Sequence, residues 1–166
     1  MSASTIVTSH LALVPLRPLD ADVMVDVLGD ERMHQFTGSR PLTLAELRAR
    51  YQALAAGRSA DGSEWWLNWI VWPSGSTGPA GTVQATVARD GTSADVAWEI
   101  GVAWQGRGIG SDAAAAIVDW LLGRGVTEVR ALIHPDHAAS GRVAERAGLR
   151  ATADRVDGEV VWRRVP

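Results

Sequence analysis

The 166-residue chain contains no cysteine. This absence excludes structural disulfides, thiolate metal sites and a cysteine nucleophile. The sequence also lacks an apolar run that approaches the length of a membrane span, and its first residues, MSASTIVTSHLALVP, lack the basic start and sustained apolar stretch of a secretory signal. We therefore expect a soluble, cytoplasmic protein that does not bind a membrane.

Charge of one sign does not accumulate anywhere in the chain. Lys plus Arg is 16 and Asp plus Glu is 19, which gives a formal net charge of -3 without a long block of either sign. This balance argues against a protein that holds nucleic acid by neutralising phosphates. A mildly acidic cleft would instead suit a cationic or amine substrate.

Phenylalanine and tyrosine occur once each, whereas tryptophan occurs eight times. Four of the tryptophans fall in EWWLNWIVW (64–72), which is apolar at both odd and even positions and predicts a strand covered on both faces. The segment TVQATV (82–87) alternates instead, so it predicts a strand with one wetter face. Most of the tryptophans are expected in the core.

The length predicts one domain over residues 1–166, with no internal repeat and no linker. Thr43 and Glu46 stand at capping-box spacing and predict a helix that ends at Gly57. The other predicted helices begin after Asp20, in the glycine-rich segment at 106–110, and at Ser140.

The remaining predicted strands complete a mixed α/β order. In the predicted strand Ala94–Ala103 the even positions are apolar, so Glu99 points to the face opposite Trp98. Pro15 favours an edge position for the first strand. These strands are Leu11–Arg17, Ala94–Ala103, Val129–His134, Leu149–Ala153 and Glu159–Val165.

The segment WQGRGIGSDAAAAIVDW (104–120) places three glycines between a predicted strand and a long predicted helix. A helix N-terminus has unpaired N–H groups and a positive dipole end, and glycine lets an anion approach that backbone. The P-loop spelling Gly-Lys-Ser/Thr is absent, and the glycine spacing differs from the dinucleotide fingerprint. The segment predicts a phosphate-binding loop, the alternative being a tight turn that only allows close packing.

The pattern Gln105-x-x-Gly108-x-Gly110, after a strand and at the start of a helix, resembles the acyl-CoA pyrophosphate loop of the GNAT superfamily of N-acetyltransferases. LVPLRPLDAD (13–22), WEIGV (98–102) and HAASGRVAERAGL (137–149) look like the branch that includes ribosomal-protein N-terminal acetyltransferases. The resemblance implies a single α/β domain of the α+β type. Its central sheet would be mixed, mostly antiparallel and splayed at the cofactor strand, with about four flanking helices.

The resemblance also implies acetyl-CoA as the cosubstrate, an amine acceptor and no metal, and it allows a homodimer. Main-chain groups of Ile100 and Val102 would pair with the pantetheine arm, and Arg107 would add a positive charge to the loop. The residues expected to cradle the pyrophosphate are Arg107, Gly108, Ile109, Gly110 and Ser111.

The segment 137–149 departs from the family in two places. His137 stands where the family commonly has an Asn that helps to hold cofactor or substrate, the alternative being a satisfied surface histidine. The family's Tyr near the thioester sulfur is replaced by Ala144, and the branch suggests Ser140 as the acid, unless Ser140 only caps the helix. Arg142 is expected to meet the 3′-phosphate of the cofactor, whereas Arg146 is expected to be solvated.

Glu99 is the candidate general base, acting directly or through a water. The alternative is a structural carboxylate paired with an arginine on a neighbouring strand. The only tyrosine, Tyr51, lies in another helix and is expected to serve packing or the surface. A thiol with a pKa near 8.5 leaves far more easily than an amine, so a missing tyrosine acid is not fatal to catalysis.

The acceptor is open among a protein N-terminus, an amino acid, a polyamine and an antibiotic amine. His34, Phe36 and Trp69 are the candidates for lining its cleft, where aromatic faces could stack on a flat substrate or a cation. The leading function is N-acetyl transfer by direct attack of the bound amine. The alternative is a non-catalytic acyl-CoA-binding or regulatory module, and a toxin that acetylates charged tRNA is disfavoured by the acidic balance.

Overall fold

The computed structural model describes residues 1–164, which form one eight-stranded sheet with helices on both faces. The strand order is β1-β2-β3-β4-β5-β6-β8-β7, and every pair is antiparallel except β5 and β6. This arrangement confirms the predicted mixed, mostly antiparallel sheet. The strands are β1 (Ile6–Val7), β2 (Leu11–Pro15), β3 (Glu64–Pro73), β4 (Gly81–Ala88), β5 (Ser93–Ile100), β6 (Glu128–Ile133), β7 (Arg150–Val156) and β8 (Glu159–Arg164).

Four α-helices flank the sheet, as the sequence predicted. They are α1 (Ala21–Val27), α2 (Leu44–Leu54), α3 (Ile109–Leu122) and α4 (Ala138–Arg146). The capping box at the start of α2 is complete, because the Glu46 N–H donates to Thr43 Oγ1 and the Thr43 N–H donates to the Glu46 carboxylate. No helix of residues 1–164 has the length and apolarity needed to cross a bilayer.

The two faces of the sheet carry separate apolar clusters. On one face, Leu67, Trp69 and Val71 of β3 pack with α3 in the larger cluster. On the other, Ile70 joins Tyr51 and residues of α1 and α2. The central part of β3 is therefore buried on both faces, as its apolar sequence predicted, while β4 alternates between buried and half-buried residues.

Several element boundaries differ from the predicted ones. The strand with Pro15 is not at the edge, because β1 pairs with Ala12 and Leu13 and leaves only its far end uncovered. The predicted strand to Ala103 ends at Ile100 because the chain turns into a 3-10 helix over Val102–Trp104. Of the predicted strand Glu159–Val165, the last residue lies outside the described residues.

Candidate active site

The sheet opens between β5 and β6. These strands pair only over three residues each, ending at Asp95 and Arg130. Arg130 donates two hydrogen bonds to the Asp95 carboxylate, at 2.8 and 2.9 Å, at the last paired position. Beyond it β5 continues to pair with β4 as far as Ile100, while its other edge pairs with no strand of residues 1–164. The predicted splay at the cofactor strand is thus present, and it leaves a free backbone edge.

The backbone alternation of β5 shows which groups face this free edge. The Gly101 N–H bonds to the Ala80 carbonyl on the β4 side, at 2.9 Å. Because successive residues of a strand direct their main-chain groups to opposite edges, those of Ile100 face the gap. The Gln105 side chain donates to the Ile100 carbonyl at 2.9 Å, which ties the following loop to the strand end and leaves the Ile100 N–H facing the gap.

The loop after β5 adopts the conformation that its glycines allow. Gly106 and Gly108 have φ values of 75° and 80°, a region that favours glycine. An added Cβ at either would meet no atom within 4 Å, so the space around this backbone is open. Gly108 is the N-cap of α3 and supplies no side-chain cap, so the first N–H groups of the helix lack a side-chain capping partner in the described part of the chain.

The other predicted loop residues surround this helix start. Gly110 differs from the two turn glycines because it packs closely, its Cβ position lying 3.3 Å from Ile100 Cγ1 and 3.6 Å from Val143 Cγ2. The exposed Arg107 places its guanidinium 5.5 Å from the centre of the Trp104 ring. Ile109 and the buried Ser111 lie in the first turn of α3.

Val102 does not extend the free edge as the sequence predicted. It begins the 3-10 turn, and its carbonyl accepts a hydrogen bond from the Gln105 N–H at 3.2 Å. The chain turns because Gly101 bonds to Ala80 on one side and the Trp104 N–H bonds back to the Gly101 carbonyl at 2.8 Å. The extended edge therefore ends at Ile100.

His137 is the N-cap of α4, which lies on the opposite side of the gap. Its Nδ1 accepts a hydrogen bond from the Ser140 N–H at 3.4 Å, so the alternative that Ser140 caps this helix is wrong. Burial lowers the pKa of His137, and the neighbouring His134 lowers it further. Phe36 stacks on the ring with centroids 4.3 Å apart.

The remaining α4 candidates differ in exposure. Ala144 is fully buried, so this position offers neither a hydroxyl nor access. Ser140 is half-buried, and its hydroxyl forms no hydrogen bond with a side chain or main-chain group of residues 1–164. Arg142 and Arg146 are exposed and form no ion pair within the described part of the chain.

A pocket of about 90 Å³ lies on the other face of β5, between the sheet and α1 and α2. Glu99 lines it from β5, opposite Thr82 in the register of β4. Glu99 forms no ion pair with any residue in the described range, so the predicted alternative of a strand carboxylate paired with an arginine is not observed. The carboxylate is exposed to the pocket and to solvent.

Of the three predicted acceptor residues, only His34 lines this pocket. It forms hydrogen bonds with Ser39 Oγ at 2.8 Å and with the Leu28 carbonyl at 3.3 Å. Phe36 lies instead against the start of α4. Trp69 is fully buried on the opposite face, where its Nε1 donates to the Ser4 carbonyl at 2.8 Å, so its prediction as a cleft residue is wrong.

Arg50, Tyr51, Asn68 and Gln84 also line the pocket, and the sequence-based prediction did not place them there. The Tyr51 hydroxyl is buried without a hydrogen-bond partner among residues 1–164. Burial raises the pKa of Tyr51, and the negative charge of Glu99 raises it further. Two signals were present in the sequence, since Asn68 interrupts an apolar strand and Gln84 lies on the predicted wetter face of β4.

Comparison with known proteins identifies similar sequences and folds. Residues 10–150 match the family model described as acetyltransferase (GNAT) domain. No curated protein sequence matches the chain. One similar solved structure is a putative ribosomal-protein-serine acetyltransferase from Vibrio cholerae, with 19% identity, 100% of each chain covered and a TM-score of 0.78.

Two further structures resemble the chain and contain coenzyme A. RimL, a ribosomal L7/L12 alpha-N-protein acetyltransferase, has 16% identity over 98% of each chain and a TM-score of 0.79. The aminoglycoside acetyltransferase AAC(6')-Ib has 20% identity, covering 93% of this chain and 94% of its own, with a TM-score of 0.75. These likenesses agree on the fold, while the two enzymes are named for different acceptors.

Proposed function

The chain belongs to the GNAT acetyltransferase family, and from this premise we propose that it transfers an acetyl group from acetyl-CoA to a primary amine. The observation that carries the proposal is the meeting of two spaces at Glu99 and Ile100. The Glu99 side chain faces the pocket under α1 and α2, and the Ile100 main chain faces the gap between β5 and β6. An amine in the pocket and a thioester in the gap would meet across this strand.

The gap fits the extended arm and the pyrophosphate of acetyl-CoA. The free edge of β5 offers main-chain groups to an extended amide-containing chain. The open space around Gly106 and Gly108 lies against the uncapped N-terminus of α3, which suits an anion. In this proposal Arg107 adds positive charge, and Arg142 and His137 face the cofactor from the other wall.

Glu99 is the proposed base. An α-amino group has a pKa of about 7.7 to 8.0 and is partly neutral at pH 7, whereas a Lys amine near 10.4 needs more help. Glu99 has no ion-pair partner within residues 1–164, so its carboxylate is available to take a proton directly or through a water. The Ile100 N–H on the free edge would stabilise the oxyanion that forms at the acetyl carbonyl.

The proposed acetyl transfer passes directly from the thioester to the amine, without a covalent enzyme intermediate. When bound, the thioester supplies the acetyl carbon, which gains a bond to the amine nitrogen and loses its bond to sulfur with the electron pair left on sulfur. The amine gives up one proton to Glu99, and sulfur takes up one proton. Ser140 is the proposed donor to sulfur, supported by its position on α4 and its unbonded hydroxyl, and it takes a proton from water in the same step while Glu99 returns its proton to water.

A second candidate function is a non-catalytic acyl-CoA-binding module. It is suggested by Ala144, which replaces the family's Tyr, and by His137, which replaces its Asn. One experiment on the purified chain distinguishes the two functions. Acetyl-CoA binding is measured by calorimetry, and coenzyme A release and acetylated product are measured with spermidine, L-leucine and a short peptide with a free N-terminus. We expect binding together with an acetylated product, whereas binding with no product from any acceptor would favour the module.

A further inference from the structure

Two side chains of opposite charge face the acceptor pocket without partners. The other charged group there, Arg40, is bound to the Glu46 carboxylate at 2.6 and 3.0 Å. Arg50 and Glu99 both line the pocket, yet neither forms an ion pair with the other or with any residue of the part that the structure describes. A free acid and a free arginine in one small pocket match a ligand that carries both charges.

The register of the sheet places two amide side chains near Glu99. Glu99 lies opposite Thr82, so Gln84 is its diagonal neighbour at about 7–8 Å. Asn68 lies directly opposite Gln84 on β3. Arg50 lines this part of the pocket and also the adjoining depression, together with both amides. The arginine and the two amides therefore form one polar group beside Glu99.

This polar group is not satisfied within the protein. The side chains of Arg50, Asn68 and Gln84 form no hydrogen bond with any residue between 1 and 164. Tyr51 is 2% exposed and its hydroxyl also has no partner in that range. Arg50 is exposed and Gln84 half-buried, whereas the Tyr51 hydroxyl is buried, and buried polar groups are nearly always hydrogen-bonded. The pocket therefore offers donors that the described residues do not use.

Tyr51 lines the same pocket as the two charged side chains. Besides the effect of burial, the pKa of this hydroxyl responds to Glu99, which raises it, and to Arg50, which lowers it. A protonated hydroxyl can donate a hydrogen bond to a carboxylate that is held by the arginine. The Tyr51 O–H is therefore a third donor for an anionic group.

The rest of the pocket is an apolar wall from α1, α2 and the segments beside them. Its side chains are only partly buried by the protein, so a ligand would remove more apolar surface from water. They are Leu16, Val25, Leu28, Met33, Leu42 and Leu54.

Resting on the acetyl transfer proposed above, we propose that the acceptor is a free α-amino acid with an apolar side chain. Its amine lies at Glu99, its carboxylate at Arg50 with the Tyr51 hydroxyl and the amides of Asn68 and Gln84, and its side chain against the apolar wall. In an α-amino acid a single carbon separates the amine from the carboxylate, so one small pocket that offers both an acid and an arginine can hold both groups. A peptide N-terminus lacks this adjacent carboxylate.

The test compares L-leucine with L-leucinamide, which differ only at the carboxylate. The kcat/KM of each is measured in the wild type, in Arg50→Ala and in Arg48→Ala, and is corrected for the fraction of neutral amine. Arg48 is the matched control because it lies on the same helix, is exposed and pairs with Asp22 outside the pocket.

We expect the wild type to prefer L-leucine over L-leucinamide, and Arg50→Ala to lose at least about 10-fold in kcat/KM for L-leucine because a charge-assisted contact disappears. The same variant should keep its value for L-leucinamide and its KM for acetyl-CoA, and Arg48→Ala should match the wild type. Equal losses for both acceptors, or a wild-type preference for the amide, would overturn the inference. Activity on spermidine or a peptide alone would overturn it and leave the acetyl transfer intact, whereas no product from any amine would overturn both.

Discussion

At Tyr51 the protein buries a hydroxyl that none of its described residues satisfies. An unsatisfied buried donor costs roughly 1–3 kcal/mol of stability, so the group is costly unless a ligand uses it. We expect Tyr51→Phe to raise the free energy of unfolding by about 1 kcal/mol, measured by urea denaturation, because the ring still fills its place. The same change should lower kcat/KM for the acceptor and leave the KM for acetyl-CoA unchanged.

Thr43→Ala is the control for this prediction, because it removes a hydroxyl that is in use. The Thr43 Oγ1 caps α2 by accepting from the Glu46 N–H, so its loss should lower stability by about 1 kcal/mol. If Tyr51→Phe were also destabilising, the hydroxyl would have a partner in solution. Its assignment to the pocket would then be wrong.

His137 links the stability of α4 to pH. Its Nδ1 accepts the capping hydrogen bond, and burial lowers the pKa of the ring below the ordinary 6.5. The unfolded chain therefore takes up a proton before the folded chain does, so the free energy of unfolding should fall as the pH drops below about 6.5. Urea denaturation at pH 7.5 and at pH 5.5 measures this fall.

The variant His137→Asn shows how much of the pH dependence of stability comes from His137 and how much from the other three histidines. An asparagine oxygen can accept the same hydrogen bond from Ser140 without titrating, so the variant should lose part of the pH dependence while its stability at pH 7.5 stays close to that of the wild type. An identical pH dependence in the two proteins would assign the effect to another group.

The start of strand β4 packs closely against the end of strand β5. Gly81 pairs with Ile100, and a Cβ at this position would clash with the Glu99 carbonyl oxygen and lie 2.9 Å from Ile100 Cα. Gly81→Ala must push the two strands apart, so we expect a loss of roughly 1–3 kcal/mol in the free energy of unfolding. Acetyl transfer should fall with it, because Glu99 and the free edge move.

Gly78→Ala is the matched control for this strand contact. Gly78 precedes β4, and an added Cβ there would meet no atom within 4 Å. This variant should keep the stability and the activity of the wild type. Equal effects of both substitutions would show that the approach of β4 to Glu99 does not matter.

Local sequence signals predicted the elements where local interactions decide them. The capping box of Thr43 and Glu46 formed as expected because its partners are three residues apart. The end of β5 was missed because the chain turns at Gly101, whose N–H bonds to Ala80 in a distant segment. The alternative that Ser140 caps α4 was considered because hydroxyl side chains are common at helix N-caps, whereas the His137 ring supplies the acceptor.

At the scale of the whole molecule, β5 separates the two proposed binding spaces. On the α3 side the gap towards β6 is bounded by consecutive residues of one loop and one helix, so the motif from Gln105 to Gly110 was enough to predict that side. The pocket is assembled from α1, α2 and three strands, and residues as distant in sequence as Leu16 and Glu99 line it. A single sequence carries little signal for such a surface, which explains why Tyr51 was expected to serve packing and Trp69 the cleft.

In the proposed reaction, Glu99 takes the proton of an amine that attacks across β5. The most direct test of this step is the pH dependence of kcat for the wild type and Glu99→Gln, together with acetyl-CoA affinity by calorimetry. We expect Glu99→Gln to lower kcat about 100-fold at pH 7, with a smaller deficit at higher pH as the amine loses its proton unaided, and with unchanged acetyl-CoA affinity. Wild-type activity and an unchanged pH profile in Glu99→Gln would contradict the claim.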